Sequence, residues 1–261
     1  HDIELKRRGG IVPVLLNTAY FPPIQYFALM AKDLRVYRTS GPVHSFSVQG
    51  SPDSREADGS VVPSVVYIEA CENYQKQSYR NRCHFYAADG RQSLSFPIIH
   101  KDGSHNNIPI RDVLVDYSTD WVTRHKRAII SAYRTSAFFE YYEDELFAIL
   151  DRRLPTLFGL NLELIRFFLE KTGLPVELRE TEEFTPPGCL KYGEDYRESI
   201  HPKRPDHILG DLGLERPYYQ VFSGKYGFVP HLSIMDLLFN EGPDSVRWLH
   251  NGWNQASVRH K

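Results

Sequence analysis

The sequence predicts an α/β fold, with a mixed, partly parallel sheet packed with helices and a Rossmann-like start; an α+β arrangement is the alternative. Three observations carry this. Short apolar runs rich in β-branched residues occupy 11–16, 34–37 and 65–68, Ile24, Phe27, Ala28 and Ala31 recur at helical spacing between the first two, and the middle third is amphipathic over long stretches. Strand, helix, strand is the seed of a βαβ unit.

The elements follow in order. Residues 11–16 form the first strand, which ends at Asn17 and Thr18. In the Tyr20-Phe21-Pro22-Pro23 loop, the second proline suits the first turn of a helix, where its missing N–H costs nothing. That helix reaches about Lys32, and 34–37 is the next strand. Between 38 and 64, Ser, Gly, Pro and Asp dominate without any period, so this stretch reads as a loop excursion. Residues 34–37 and 65–68 are then either one interrupted strand or two strands of a hairpin. Asp89-Gly90, between strand-like 83–86 and 94–99, marks a hairpin, and 110–115 reads as a strand. Ser118 or Thr119 caps a helix with Trp121, His125, Ile129 and Ala132 on one face, and Ser136 caps a second with Phe138, Phe139, Tyr142, Leu146 and Leu150. A third helix runs from about Asn161 to Lys171 and stops at Gly173. Residues 176–178 and 218–222 are short strands. Ser233-x-x-Asp236 makes a capping box for a helix ending near Gly242, and Pro243 admits a last helix over 244–248.

Composition narrows the function classes. With 261 residues, 41% hydrophobic and 25% charged, the chain can bury a substantial core. Residues 1–10 read as a loose leader and 11–261 as one domain. A net charge of −2 argues against general nucleic-acid binding, and no apolar run is long enough to span a membrane. Cys71, Cys83 and Cys189 have no C-x-x-C spacing, so neither a disulfide framework nor a thiolate zinc site is indicated, and a cytoplasmic setting is expected. The histidines show no H-x-x-x-H or H-E-x-x-H spacing, and no glycine-rich nucleotide motif is present; no metal or cofactor is expected.

The polar run 69–84, fixed between two strand-like segments, is where ligand contacts are expected. If the strands ending at Leu16 and Ile68 are parallel neighbours, the 17–23 loop lies beside it at the edge where open α/β sheets bind ligands. Lys76, Arg80 and Arg82 alternate, and on an extended segment all three face one way as an anion site for phosphate or carboxylate. The competing reading is a solvated strand edge. Tyr20 and Tyr26 offer stacking faces, while Glu72, His84 and His125 are the candidate proton-transfer groups. Against these stand an ordinary Glu72–Lys76 helix pair and a packed His125. Glu241 stands out as a carboxylate at the unfavourable end of a helix dipole.

Tyr20-Phe21-Pro22-Pro23 with Tyr26-Phe27, Tyr74-x-Lys-Gln-Ser-Tyr-x-Asn-Arg82, Ala132-Tyr-x-x-Ser-x-Phe-Phe-x-x-Tyr142 and Tyr218-x-Gln-Val-Phe…Phe228-x-Pro-x-Leu-Ser-Ile-x-Asp-Leu-Leu-Phe-Asn-Glu-Gly242 together resemble the WbqC-like proteins, from about Val12 to Gly242. The resemblance implies a bacterial protein of surface-polysaccharide, O-antigen-type, biosynthesis. It places Asn81, Gln220, Asp236 and Asn240 on motif positions beside Tyr20, Lys76, Arg82, Tyr133 and Glu241. The 38–65 excursion departs from the family pattern. The expected activity is transfer of a small group onto a nucleotide- or lipid-linked sugar, and the alternative is a non-catalytic sugar- or nucleotide-binding protein.

Overall fold

Val14, Leu15, Leu16 and Asn17 are all buried, and the strand they form, β1 (Val14–Asn17), is the axis of the molecule. A computed structural model describes residues 11–37, 47–49, 63–100 and 107–250; the proposed leader and most of the excursion lie outside them. β1 is flanked by β4 (Ser64–Glu69) and β8 (Glu194–Asp195), with β7 (Val176–Glu180) beyond β4. All three pairings are parallel, and Val14 to Asn17 register with Val66 to Glu69. Central parallel strands are covered on both faces, which is why β1 is apolar throughout its first three residues. The α/β class expected from the sequence is therefore present; among the described residues the antiparallel strand pairs are two separate hairpins, with isolated antiparallel bridges elsewhere.

The first hairpin pairs β2 (Arg35–Tyr37) with β3 (Ser47–Gln49), so neither alternative for 34–37 holds: its partner lies inside the excursion rather than at 65–68. The second joins β5 (Arg82–Ala87) to β6 (Gly90–Ser95), and Gly90 supplies the positive φ of 103° that the turn demands.

Helix α1 (Ile24–Ala31) follows the double proline, with every residue buried. α2 (Trp121–Tyr133) is capped by Asp120, whose side chain accepts from Thr123 N, rather than by Ser118 or Thr119. α3 (Phe139–Asp151) starts without a side-chain cap; Ser136 instead donates to Tyr133 O. α4 (Leu157–Thr172) begins a turn earlier than expected because Thr156 caps it, and it ends at Gly173 in the left-handed region. The expected strand at 110–115 is a 3-10 turn (Ile110–Asp112) followed by isolated bridges, with Ile110 N bonded to Glu72 O. The expected strand at 218–222 is irregular chain leading into the short α6 (Ser223–Tyr226), which follows α5 (Ile208–Asp211). Its alternation is real, with Tyr218 and Gln220 buried and Tyr219 exposed, but the inward side chains meet a helix rather than a strand. That helix is α7 (Ile234–Glu241), capped by Ser233; a 3-10 turn (Gly242–Asp244) leads into α8 (Ser245–Leu249).

The starts of α1 and α7 are tied together. Ile24 N bonds Leu232 O, Ile234 N bonds Pro22 O, and Ser233 N bonds His84 O, which joins both helices to the second hairpin.

β8 exists because Glu194 N reaches Pro13 O at 2.9 Å. Gly193 precedes it at φ 96°, and a Cβ there would lie 2.0 Å from Pro13 O. Gly193→Ala is expected to cost at least about 3 kcal/mol through strain and overlap, lowering Tm by roughly 6–12 °C. A thermal melt unchanged from wild type would overturn this account of the β1–β8 edge.

Candidate functional site

The carboxyl ends of the sheet strands, where open α/β sheets take ligands, are occupied by an internal ionic network. Glu69, wholly buried at the end of β4, accepts from Arg197 Nη1 at 2.6 Å, Thr181 Oγ1 at 2.7 Å and Cys71 N at 2.8 Å. Arg197 places Nε and Nη2 on the two oxygens of Asp195, at 2.9 and 2.7 Å, and Nη2 also reaches Thr185 O at 2.9 Å. Asn17 Nδ2 donates to Arg197 O at 2.6 Å, which ties in the end of β1. Burial opposes the Asp195 charge, but the Arg197 hydrogen bonds outweigh it and hold that carboxyl below its ordinary value. Every charge in this network is spent on another.

The polar run meets the β1 loop as expected, with Tyr20 N bonded to Tyr79 O at 2.9 Å. It is a series of turns rather than an extended segment, so Lys76, Arg80 and Arg82 do not share a face. Lys76 is exposed. Arg80 is buried and forms a two-pronged pair with buried Glu72, Nε to Oε1 at 2.7 Å and Nη2 to Oε2 at 2.6 Å. Desolvation raises the Glu72 pKa even against this pairing. The i,i+4 Glu72–Lys76 pair does not form, because the segment is not helical. Arg82 is half-buried, with Nε lacking a hydrogen-bond partner among the described residues. Asn81 bonds Phe96 O through Nδ2 and stitches the run to β6.

The proposed stacking faces are not open. Tyr20 is wholly buried and donates its hydroxyl to His125 Nδ1 at 2.7 Å, and His125 Nε2 donates to Ser95 O at 3.2 Å. With both ring nitrogens engaged, His125 is a neutral packing residue whose pKa burial pushes down to about 4. Tyr26 is also buried, beside the Glu72–Arg80 pair, and burial raises its pKa. His84 lies half-buried against Tyr79, ring centroids 5.6 Å apart, and burial followed by the Arg91 and Arg82 charges lowers its pKa to about 4.

The late motif forms a second buried cluster. Asp236 turns inward from α7 instead of capping it. Its oxygens accept from Tyr133 at 2.8 Å, Tyr218 at 2.7 Å and Gln220 Nε2 at 2.9 Å. Gln220 is fully committed, since its Nε2 also meets Val229 O and its Oε1 accepts from Val229 N. Asn240 Nδ2 bonds Asp236 O, and Glu241 accepts from Tyr219 N. Burial raises the Asp236 carboxyl to about 6, although its three donors pull the other way.

An open polar pocket of about 290 Å³ lies at the first turn of α1, beside the polar run. Gln25, Tyr79 and His231 form its inner wall; Arg91 of β6 and the His201–Asp206 segment close it. Arg91, Lys203 and Arg204 have no carboxylate partner among the described residues: Lys203 bonds the Gln77 side-chain oxygen, and Arg204 a backbone carbonyl of Glu198. The pKa of His201 is lowered by burial and then by the charges of Arg204, Arg80, Lys203 and Arg82. Gln25, 2% exposed, donates Nε2 to Asp206 at 3.0 Å and to His231 Nδ1 at 2.9 Å, while its Oε1 has no partner among the described residues. The site thus offers several exposed cations at one pocket, a set suited to a phosphate.

Sequence reasoning missed Gln25, Arg91, Lys203, Arg204, Asp206 and His231. Two signals were available. Gln25 is the one hydrogen-bonding amide in the otherwise apolar helix IQYFALMA, and Lys203-Arg204 is a basic pair held between Pro202 and Pro205. Among the described residues, no cluster of three His, Cys, Asp or Glu side chains could hold a metal ion, and no helix is long and apolar enough to cross a membrane.

Comparison with known proteins places these features in a family context. The WbqC-like protein family matches residues 63–192, from the start of β4 through the polar run, α2, α3, α4 and β7. The uncharacterized protein Rv1507c of Mycobacterium tuberculosis is 27% identical over 204 residues, covering 67% of this chain and 84% of that protein. No solved structure matches significantly.

Proposed function

The chain belongs to the WbqC-like protein family, and from that premise we propose that it binds a phosphate-bearing sugar in the polar pocket and serves surface-polysaccharide biosynthesis of the O-antigen type. The observation that carries this reading is the set of cations, Arg91, Lys203 and Arg204, that converge on one pocket without carboxylate partners among the described residues. All three residues are exposed, and cations that converge on one pocket without internal partners bind an external anion through charge-assisted hydrogen bonds. The anion site first expected at Lys76, Arg80 and Arg82 moves outward to this pocket, with Arg82 contributing field at its edge.

Binding is the function that the geometry supports best, because Glu72, His125 and Asp236 are each consumed by internal partners. A transferase is the second reading, favoured by two histidines, His201 and His231, in the pocket wall. Calorimetric titration with pyrophosphate and with a sugar 1-phosphate tests the binding. Arg91→Ala combined with Arg204→Ala is expected to weaken affinity by about 10- to 100-fold, the range for losing charge-assisted hydrogen bonds, while Lys76→Ala leaves it unchanged. Equal affinity in wild type and the double variant would sink the proposal.

A further inference from the structure

A second cavity of about 250 Å³ shares a wall with the polar pocket. His231 lines both, and the adjacent residues Ile24 and Gln25 line one each. The second cavity has the opposite character: its lining is mainly apolar, with the rings of Tyr218, Phe228 and Trp248 set among aliphatic and proline side chains and with Glu215 and Arg216 at its side. Tyr218 meets both Phe228 and Trp248 edge-to-face, at centroid distances of 5.1 and 5.2 Å.

We infer that the two cavities are halves of one site for a nucleoside diphosphate or its sugar ester, with the diphosphate among Arg91, Lys203 and Arg204 and the base in the aromatic half. This rests on the phosphate-binding reading above and names its ligand class. Two observations favour a base over an alkyl chain. The lining carries three aromatic rings, whose faces and edges hold a flat heterocycle. Glu215 supplies an acceptor for ring or exocyclic N–H groups.

The shared wall is built to hold its place. An oxygen of the Gln25 amide 3.0 Å from Asp206 would be repelled, so the nitrogen must sit there, and the same nitrogen is 2.9 Å from His231 Nδ1. Nδ1 is therefore the acceptor, the ring proton is on Nε2, and His231 keeps a donor for the part of the ligand that crosses between the halves. Its backbone stands at φ 60°, a conformation that the Pro23–Ser233 bridge and the Ile24–Leu232 bond hold in place from the next residues.

The test is calorimetric and begins on the wild-type protein, so it does not depend on any variant folding. Affinity is measured for pyrophosphate, for dodecyl phosphate, and for uridine, thymidine, cytidine, guanosine and adenosine diphosphates. At least one nucleoside diphosphate is expected to bind about tenfold or more tightly than pyrophosphate, the gain typical of stacking one base. Phe228→Ala, at a half-exposed position, should erase most of that preference and leave pyrophosphate affinity as it was. Equal affinity for pyrophosphate and all five nucleotides, tighter binding of the alkyl phosphate, or a preference untouched by Phe228→Ala each overturns the two-part site and leaves the polar pocket standing. Failure of every compound to bind overturns the phosphate-binding reading, and this inference with it.

Discussion

Arg197→Met is expected to destabilise the protein by about 3–5 kcal/mol, a fall of roughly 6–20 °C in Tm. The substitution keeps much of the side-chain volume and removes the charge, leaving Glu69 at 0% and Asp195 at 9% exposure without their cation. An unpaired buried carboxylate costs far more than a lost surface pair, because the desolvation remains when the attraction is gone. Glu69→Gln added to Arg197→Met should therefore recover about 1–3 kcal/mol, even though it removes a second native group. The acid limb changes too. The folded Asp195 carboxyl lies below its ordinary value of 3.8, so its contribution is present above that value and is lost as pH falls through the lower folded one. In Arg197→Met this loss on acidification should disappear. Chemical denaturation at pH 7 and pH 3 measures both effects, and a single variant within about 1 kcal/mol of wild type at pH 7 would refute the network's role.

Asp236→Ala is expected to be comparably severe, about 2–6 kcal/mol, since it strands the buried hydroxyls of Tyr133 and Tyr218 while Gln220 keeps Val229. The pH dependence has the opposite sign to that of Asp195. Asp236 is raised from 3.8 to about 6 in the folded chain, so the folded state favours its proton more than the unfolded chain does. Its stabilising contribution is complete below 3.8 and is lost as pH rises through about 6. Two units correspond to about 3 kcal/mol across that window. Wild type minus Asp236→Asn, followed by denaturant midpoints from pH 4 to pH 7, should show this slope. A flat difference curve would show that the carboxyl titrates alike in both states.

The two clusters also explain how much of the site was legible. Two apolar runs marked β1 and β4 as strands; their parallel pairing stood only as a condition, and the contact of the Tyr20 loop with the polar run follows from it. The hairpin followed from Asp89-Gly90, because few turns accept a residue at φ 103° other than glycine. The fate of the charges did not follow. Lys76, Arg80 and Arg82 are spaced as an extended segment would use them, yet Arg80 turns back on Glu72 across a turn. Glu72 and His125 carry the residue types of acid–base catalysis and are consumed by Arg80 and Tyr20. The Ser233-x-x-Asp236 spacing marked the helix start correctly through Ser233, while Asp236 went to Tyr133 and Tyr218 instead.

The sequence by itself determined the α/β class, the hairpin, most helix spans and the family, all through short-range rules: side-chain alternation, helical period, capping and turn chemistry act within a few residues. Only the tertiary structure decided which polar groups face inward and which cations lack a carboxylate partner among the described residues. Arg197 meets Glu69 across 128 residues, and Gln25 meets His231 across 206. A buried charge is tolerated only where a partner from a distant element reaches it, so its role depends on packing that no local pattern records. Arg91, Lys203 and Arg204 are exposed and need no internal partner, and at the pocket no carboxylate from any described element reaches them, which makes them candidates for binding.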